Sequence, residues 1–287
     1  MKRGIGLPDS IPGVNPARIL AWAAKADDAP FSSLGTEDRL VYPNYDSLVT
    51  LAAAAGVTKR VRLVTNILIA PLRNAGVLAK QAASLDLLSG GRLTLGLAVG
   101  SRETDYRVAP ADFSTRGRRF DEQLGFMKRV WAGEPIDDDI PQVGPLPAQP
   151  GGPEVLIGGQ SPAAIARVGR WGDGYIEGGR DAVATQRHCR TVQDAWRAHG
   201  RTGEPRLVGH MLFALGPGAE KRAGDYVRAY FAYRPSRVET MLALPHLSPG
   251  AIRETVDAFA AIGMDEIIFV PCIDDLEQVD RLADAVG

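Results

Sequence analysis

The chain has 287 residues and a formal net charge of -1, with 45% hydrophobic and 23% charged residues. That balance describes a core-forming globular chain and leaves no electrostatic footprint for nucleic acid or an anionic membrane. The apolar runs are too short and interrupted to span a bilayer, the start MKRGIGLPDS lacks the apolar stretch of a signal peptide, and two cysteines, Cys189 and Cys272, make no disulfide framework, so a reducing cytoplasm is the expected compartment.

In chain order, residues 4–7 read as a first buried strand, and Asn15 with Pro16 opens a helix as N-cap and first helical residue. Residues 31–34 form a second strand. YDSLVTLAAAAGV then predicts a helix with Leu48, Leu51, Ala52 and Ala55 on one face and a stop at Gly56. Residues 61–69 are a third strand, an aliphatic run interrupted by Asn66, and residues 93–99 a fourth. RGRRFDEQLGFMKRVWAG carries Phe120, Leu124, Met127 and Trp131 at helical spacing and ends at Gly133. Residues 133–153, rich in proline and glycine, are expected to be an ordered loop or linker. Strands five to seven are expected at residues 154–157, 175–177 and 206–215. Residues 216–247 are too long for a simple connection and predict one or two added helices after strand seven. A capped helix, SPGAIRETVDAFAAIG, leads to the last strand at residues 266–270.

Strands alternating with amphipathic helices imply parallel strands with helical crossovers. Eight such units predict an α/β fold, a single (β/α)8 TIM barrel over residues 1–287. A doubly wound open sheet is the alternative. In such a barrel the active site lies at the C-terminal ends of the strands.

After strand five, IGGQSP offers Gly158, Gly159, Gln160 and the N-cap Ser161. The N–H groups of a glycine turn and a helix N-terminus suit a phosphate. After strand six, EGG sets Gly178 and Gly179 beside it. Each corner also reads as ordinary turn glycine. After strand two comes Glu37–Asp38–Arg39, with Asp38 and Arg39 as candidate catalytic residues. Arg39 cannot be a general base but can pair with an anionic substrate or stabilise developing negative charge; a surface ion cluster is the other reading. His210, inside strand seven, is a further candidate, either at the site or as a hydrogen-bonded core residue. His188 and His199 read as surface residues, and His246 closes the added helical segment. No histidine pair has metal-ligand spacing, so no metal is expected. Cys272 reads as a buried filler. Tyr42, Tyr106 and the aromatic run at residues 226–233 read as packing or pocket wall. P-loop, G-x-G-x-x-G and G-x-S-x-G patterns are absent.

The stretches LVTNILIAPLRNAGVLAKQAASLDLLSGGRLTLGLAVGSRETDY, FSTRGRRFDEQLGFMKRVWAGEP, PEVLIGGQSPAAIARVGRWGDGYI and GMDEIIFVP cover most of the chain. In order and spacing they resemble the bacterial luciferase-like monooxygenase superfamily, flavin-dependent TIM barrels that use FMN or the deazaflavin coenzyme F420. The resemblance implies a flavin across the barrel mouth. Its ring would rest on Asn66 and a bulge at Ile67 and Leu68, a place where a non-prolyl cis peptide is frequent. Gly100, Ser101, Arg102 and Glu103 would meet the ribityl chain and ring edge. Gly158, Gly159, Gln160, Ser161, Gly178 and Gly179 would hold the phosphate. The implied function is a flavin-dependent monooxygenase using FMNH2 and O2 on a small organic substrate, with reduced flavin from a separate reductase. The alternative is an F420-dependent hydride-transferring oxidoreductase. A non-catalytic flavin-binding barrel and a sugar-phosphate aldolase or isomerase are further alternatives; for the last, Lys59 and Lys80 lie on or next to helices, not at strand ends. Where several members carry a histidine after strand two, this chain has Arg39. Homodimers are frequent in the superfamily, so a homodimer is expected.

Overall fold

The computed structural model describes residues 1–178 and 181–287. Its strands are β1 (Lys2–Gly6), β2 (Ser33–Thr36), β3 (Arg62–Ile69), β4 (Leu93–Ala98), β5 (Glu154–Gly158), β6 (Gly174–Gly178), β7 (Arg206–Phe213) and β8 (Glu266–Pro271). All neighbours are parallel and follow chain order, and β1 pairs with β8 from Lys2 opposite Glu266 to Ile5 opposite Phe269, so the sheet closes into a (β/α)8 barrel. That closure excludes the open-sheet alternative. The helices are α1 (Pro16–Asp28), α2 (Ser47–Val57), α3 (Ala75–Leu88), α4 (Glu103–Val108), α5 (Arg116–Trp131), α6 (Pro162–Trp171), α7 (Ala182–Ala198), α8 (Ala219–Tyr230), α9 (Val238–Met241), α10 (Pro249–Ala261) and α11 (Glu277–Val286). Residues 133–153 contribute no helix or strand before β5.

Local chemistry explains most element starts. Asn15 accepts from Ala17 N, with Pro16 at the first helical position of α1. Asp46 and Asn74 cap α2 and α3 in the same way. Two expectations need correction. β2 begins at Ser33, two residues after the expected start, because Phe31 is fully buried core filler ahead of the strand. On α2 the inward face is Leu48, Leu51 and Ala54, while Ala52 is exposed and the helix runs past Gly56 to Val57. The run of alanines is apolar on every side, so composition does not mark the face that turns inward.

Inside the barrel the side chains form layers. At the bottom, Arg206 pairs with both Glu154 and Glu266, and Arg62 bonds Thr94, so the buried charges are mutually neutralised. Above them Val64, Leu156, Ile176, Val208 and Ile268 form an aliphatic plug. The plug seals the barrel from below and leaves only its C-terminal mouth open to chemistry.

Candidate functional site at the barrel mouth

The layer above the plug changes character. β3 presents Asn66, β7 presents His210, and β5 and β6 present glycines, Gly158 and Gly178. Glu37 follows β2 directly. A cavity of about 930 Å³ opens there, lined among others by Glu37, Asn66, Ile67, Gly178, His210 and Tyr230. That size lies within the roughly 300–1,000 Å³ typical of small-molecule and cofactor sites.

The β3–β4 register shifts between Thr65 and Leu68, and the Asn66–Ile67 peptide is a non-prolyl cis bond. The bulge therefore lies one residue earlier than the expected Ile67–Leu68, because Leu68 already pairs with Leu97 and is fully buried in the core. Asn66 is 2% exposed, and neither of its amide atoms has a hydrogen-bond partner among the described residues. Ile67 packs over Gly158, where a Cβ would stand 2.7 Å from Ile67 Cδ1. At Gly178 a Cβ would collide with the imidazole of His210. The two glycines thus make room for the bulge and the histidine. Burial pushes the His210 pKa down to about 4, so the ring is neutral at physiological pH, and its Nδ1 has no partner among the described residues.

Gly159 has φ +121°, a conformation that a side chain would strain, and Ser161 caps α6 by accepting from Ala164 N at 3.2 Å. Gly159, Gln160 and Ser161 stand exposed on the rim, and Gln160 and Gly178 line the cavity. Gln160 Nε2 donates to Glu177 Oε1 at 2.9 Å, which also meets His188 Nδ1 at 2.7 Å. His188 was expected at the surface and is instead partly buried in this contact. Gly179 lies outside the described residues.

The two acids and the arginine after β2 have separate roles. Asp38 Oδ2 accepts from Ile69 N and Arg73 Nη1, each at 2.8 Å, and Oδ1 accepts from Arg73 Nη2 at 3.0 Å. Both oxygens hold the end of β3, so Asp38 positions the bulge from the cavity wall. Arg39 is 8% exposed, which removes the surface-cluster reading, and its guanidinium lies 4.3, 4.8 and 4.9 Å from the ring centres of Tyr42, Tyr230 and Tyr233. Its pKa is lowered by burial and by Arg102. Arg39 therefore fastens α8 and the segment after it to the β2 loop, and it does not line the large cavity. Arg102 pairs with Asp105 at 2.9 Å and stacks on Tyr233, while Gly100 has φ +69° with Ile69 Cγ2 2.8 Å from a would-be Cβ. Ser101 is exposed beside them. Tyr106 donates to Val99 O away from the cavity, and Cys272 is buried among apolar neighbours. His246 is on the cavity wall, tied to Thr255 Oγ1 at 2.6 Å.

No motif or spacing singles out Glu37 within the Glu37–Asp38–Arg39 cluster. The signal lies in the strand alternation: Ser33 and Gly35 fall on the face of β2 that turns into the barrel, and Glu37 continues that alternation one residue past the strand.

The fold and site are those of a closed parallel (β/α)8 barrel whose C-terminal mouth carries a bare glycine corner, a capped helix N-terminus and a polar-lined cavity. The sequence model of the luciferase-like monooxygenases matches residues 2–266, and the chain belongs to that family. An F420-dependent glucose-6-phosphate dehydrogenase of Beutenbergia cavernae is 33% identical over 175 residues, 56% of this chain and 52% of that protein. The chain thus spans about half the length of that relative. An F420-dependent secondary alcohol dehydrogenase in complex with an F420–acetone adduct superposes with a TM-score of 0.81 at 17% identity, covering 100% of both chains. The oxygenating constituent of 3,6-diketocamphane monooxygenase from Pseudomonas putida, in complex with FMN, gives 0.74 at 17% identity over 100% and 96% of the two chains. These structural likenesses establish the fold. The named relatives are oxidoreductases that use F420 or FMN. Among the described residues no helix is long and apolar enough to cross a membrane.

Proposed function

We propose that the chain is an F420-dependent oxidoreductase that moves a hydride between the deazaflavin and a small organic substrate held in the barrel mouth. The observation that carries the flavin-class reading is the glycine corner Gly158–Gly159 with the N-terminus of α6, opening on a cavity whose wall holds the amide of Asn66, unpartnered among the described residues. The residues fit such a group. Bare backbone and the positive end of a ten-residue helix suit a phosphate. A Cβ at Gly158 or Gly159 would crowd Ile67 or Ala164, so only glycine leaves the corner open. When bound, the deazaflavin supplies two-electron hydride chemistry. Ser161 would stand at the phosphate, Ile67 would support the ring and Asn66 would orient a polar group beside it. Met211, Leu212, Met241 and Leu244 exclude water from the substrate side.

F420 is preferred over FMN because a relative 33% identical over 56% of this chain is F420-dependent; the solved F420 and FMN complexes, each 17% identical, do not separate the two. Oxygenation by FMNH2 and O2 is the second reading, supported by that FMN complex. The test is anaerobic mixing of the protein with F420 and a panel of secondary alcohols and sugar phosphates. Loss of the F420 absorbance with at least one substrate, without oxygen, supports hydride transfer. Oxygen uptake with FMNH2 and no F420 reduction transfers the function to the second reading.

A further inference from the structure

Behind the mouth lies a set of oxygen atoms that the flavin-class reading does not use. Glu37 Oε2 accepts from Ser10 Oγ at 2.6 Å and from Tyr226 OH at 2.7 Å, and those two hydroxyls stand 2.9 Å apart. Three mutual contacts take three protons, and two hydroxyls carry only two. With Ser10 and Tyr226 both donating to Oε2, the contact between the two hydroxyls is left without a proton of its own. The triangle therefore has a place for one exchangeable proton. Both hydrogen bonds reach Oε2, which leaves Oε1 to the cavity that Glu37 lines. Glu37 is 8% exposed, and its neighbour on that wall, Asn66, has both amide atoms unpartnered among the described residues. Asp9 is fully buried with neither carboxyl oxygen partnered among the described residues; burial and the proximity of Glu37 raise its pKa well above the ordinary range. The other groups facing Glu37 are the phenols of Tyr42, Tyr226 and Tyr230 and the thiol of Cys272, while Asp38 acts on Asp9.

We propose that Glu37 is the proton-transferring residue of this site, exchanging a proton with a substrate hydroxyl or carbonyl oxygen, with Ser10, Tyr226 and Asp9 as positioning residues behind it. The proposal rests on the flavin-class reading only for the electron acceptor. In the oxidative direction the substrate O–H bond breaks and its proton goes to Oε1. The C–H electron pair leaves as hydride to the bound two-electron acceptor, so the carbinol becomes a carbonyl and the acceptor is reduced. In the reverse direction Glu37 returns the proton to the oxygen. Asn66 holds the same oxygen in place. Tyr226 belongs to α8, so the segment after β7 is part of the proton-handling unit as well as a cover.

The experiment uses the whole chain and 2-propanol as probe, with and without F420. The infrared carboxyl stretch that disappears in Glu37→Gln is followed as 2-propanol is added. The proposal expects that band to shift with the probe in the wild type and to shift less in Tyr226→Phe. Asp9→Asn, isosteric with a protonated carboxyl, keeps the fold and alters the band position. With F420 present, Glu37→Gln lowers kcat by about 10²–10⁴-fold, the usual contribution of a general acid–base, while F420 affinity is kept. Glu37→Asp recovers part of the loss. A Glu37 band indifferent to the probe, or full turnover in Glu37→Gln, overturns the proposal. Failure of F420 to bind refutes the cofactor reading instead, and the band shift still decides the role of Glu37.

Discussion

Replacing Asp38 by alanine separates structural from chemical acids at neighbouring positions. The Asp38 side chain is 4% exposed and accepts three hydrogen bonds, one from Ile69 N and two from the Arg73 guanidinium. Its loss leaves Ile69 N without an acceptor at the end of the bulged strand. It also leaves Arg73, itself 19% exposed, with Asp46 as its remaining carboxylate, and Asp46 is 47% exposed. Breaking a buried pair from one side costs about 3–5 kcal/mol. The exposed Asp46 partner returns no more than about 1 kcal/mol of that. A net loss of about 2–4 kcal/mol is expected, a large share of the roughly 5–15 kcal/mol that holds a folded domain. Glu37→Gln keeps the volume and an acceptor for Ser10 and Tyr226, so its expected loss is below about 1 kcal/mol. Urea unfolding followed by circular dichroism measures both, with the midpoint shifting at constant slope. Equal destabilisation by the two substitutions, or a loss below about 1 kcal/mol for Asp38→Ala, refutes the division of labour between them.

Three further outcomes follow from the same geometry. His210 has its pKa lowered from 6.5 to about 4, so between those pH values the unfolded chain binds the extra proton; its contribution is complete above pH 6.5 and is lost toward pH 4, by up to about 3 kcal/mol. Urea midpoints at pH 7 and pH 5 for the wild type and His210→Gln check this, the variant showing the smaller drop. Gly159→Ala places a Cβ at φ +121°, 2.9 Å from the Ala164 Cβ, and is expected to cost about 1–3 kcal/mol in the unfolding assay and to weaken cofactor binding. Gly178→Ala drives the His210 ring out of its place, and an NMR titration is expected to show the imidazole pKa returning toward 6.5 as the ring gains water.

The parts of this fold that the sequence makes legible are those set by near neighbours. Asn15 and Ser161 cap helices through residues two or three positions away, and the eight strands announce themselves by composition. The glycine corner at Gly158–Gly159 is legible for the same reason. What is hidden depends on distant partners. Glu37 gains its character from Ser10, 27 residues earlier, and Tyr226, 189 residues later. Arg39 looks like part of a surface cluster until Tyr230 and Tyr233 arrive from the far end of the chain. The bulge moves by one residue because Leu68 is claimed by the core, which the run of aliphatic residues from 67 to 69 does not reveal. The buried face of α2 is hidden because a row of alanines offers no contrast.

On the proposed function, the mouth of this barrel would hold a phosphate-bearing deazaflavin on the corner capped by Ser161. Calorimetric titration with F420 and with FMN, on the wild type and on Ser161→Asp, tests it most directly. Aspartate caps a helix as well as serine does, so the fold is kept while a like charge is set at the phosphate. The account predicts that F420 binds more tightly than FMN and that Ser161→Asp weakens it at least about tenfold, or about 1.4 kcal/mol. Binding of neither cofactor, or F420 affinity untouched by Ser161→Asp, would contradict it.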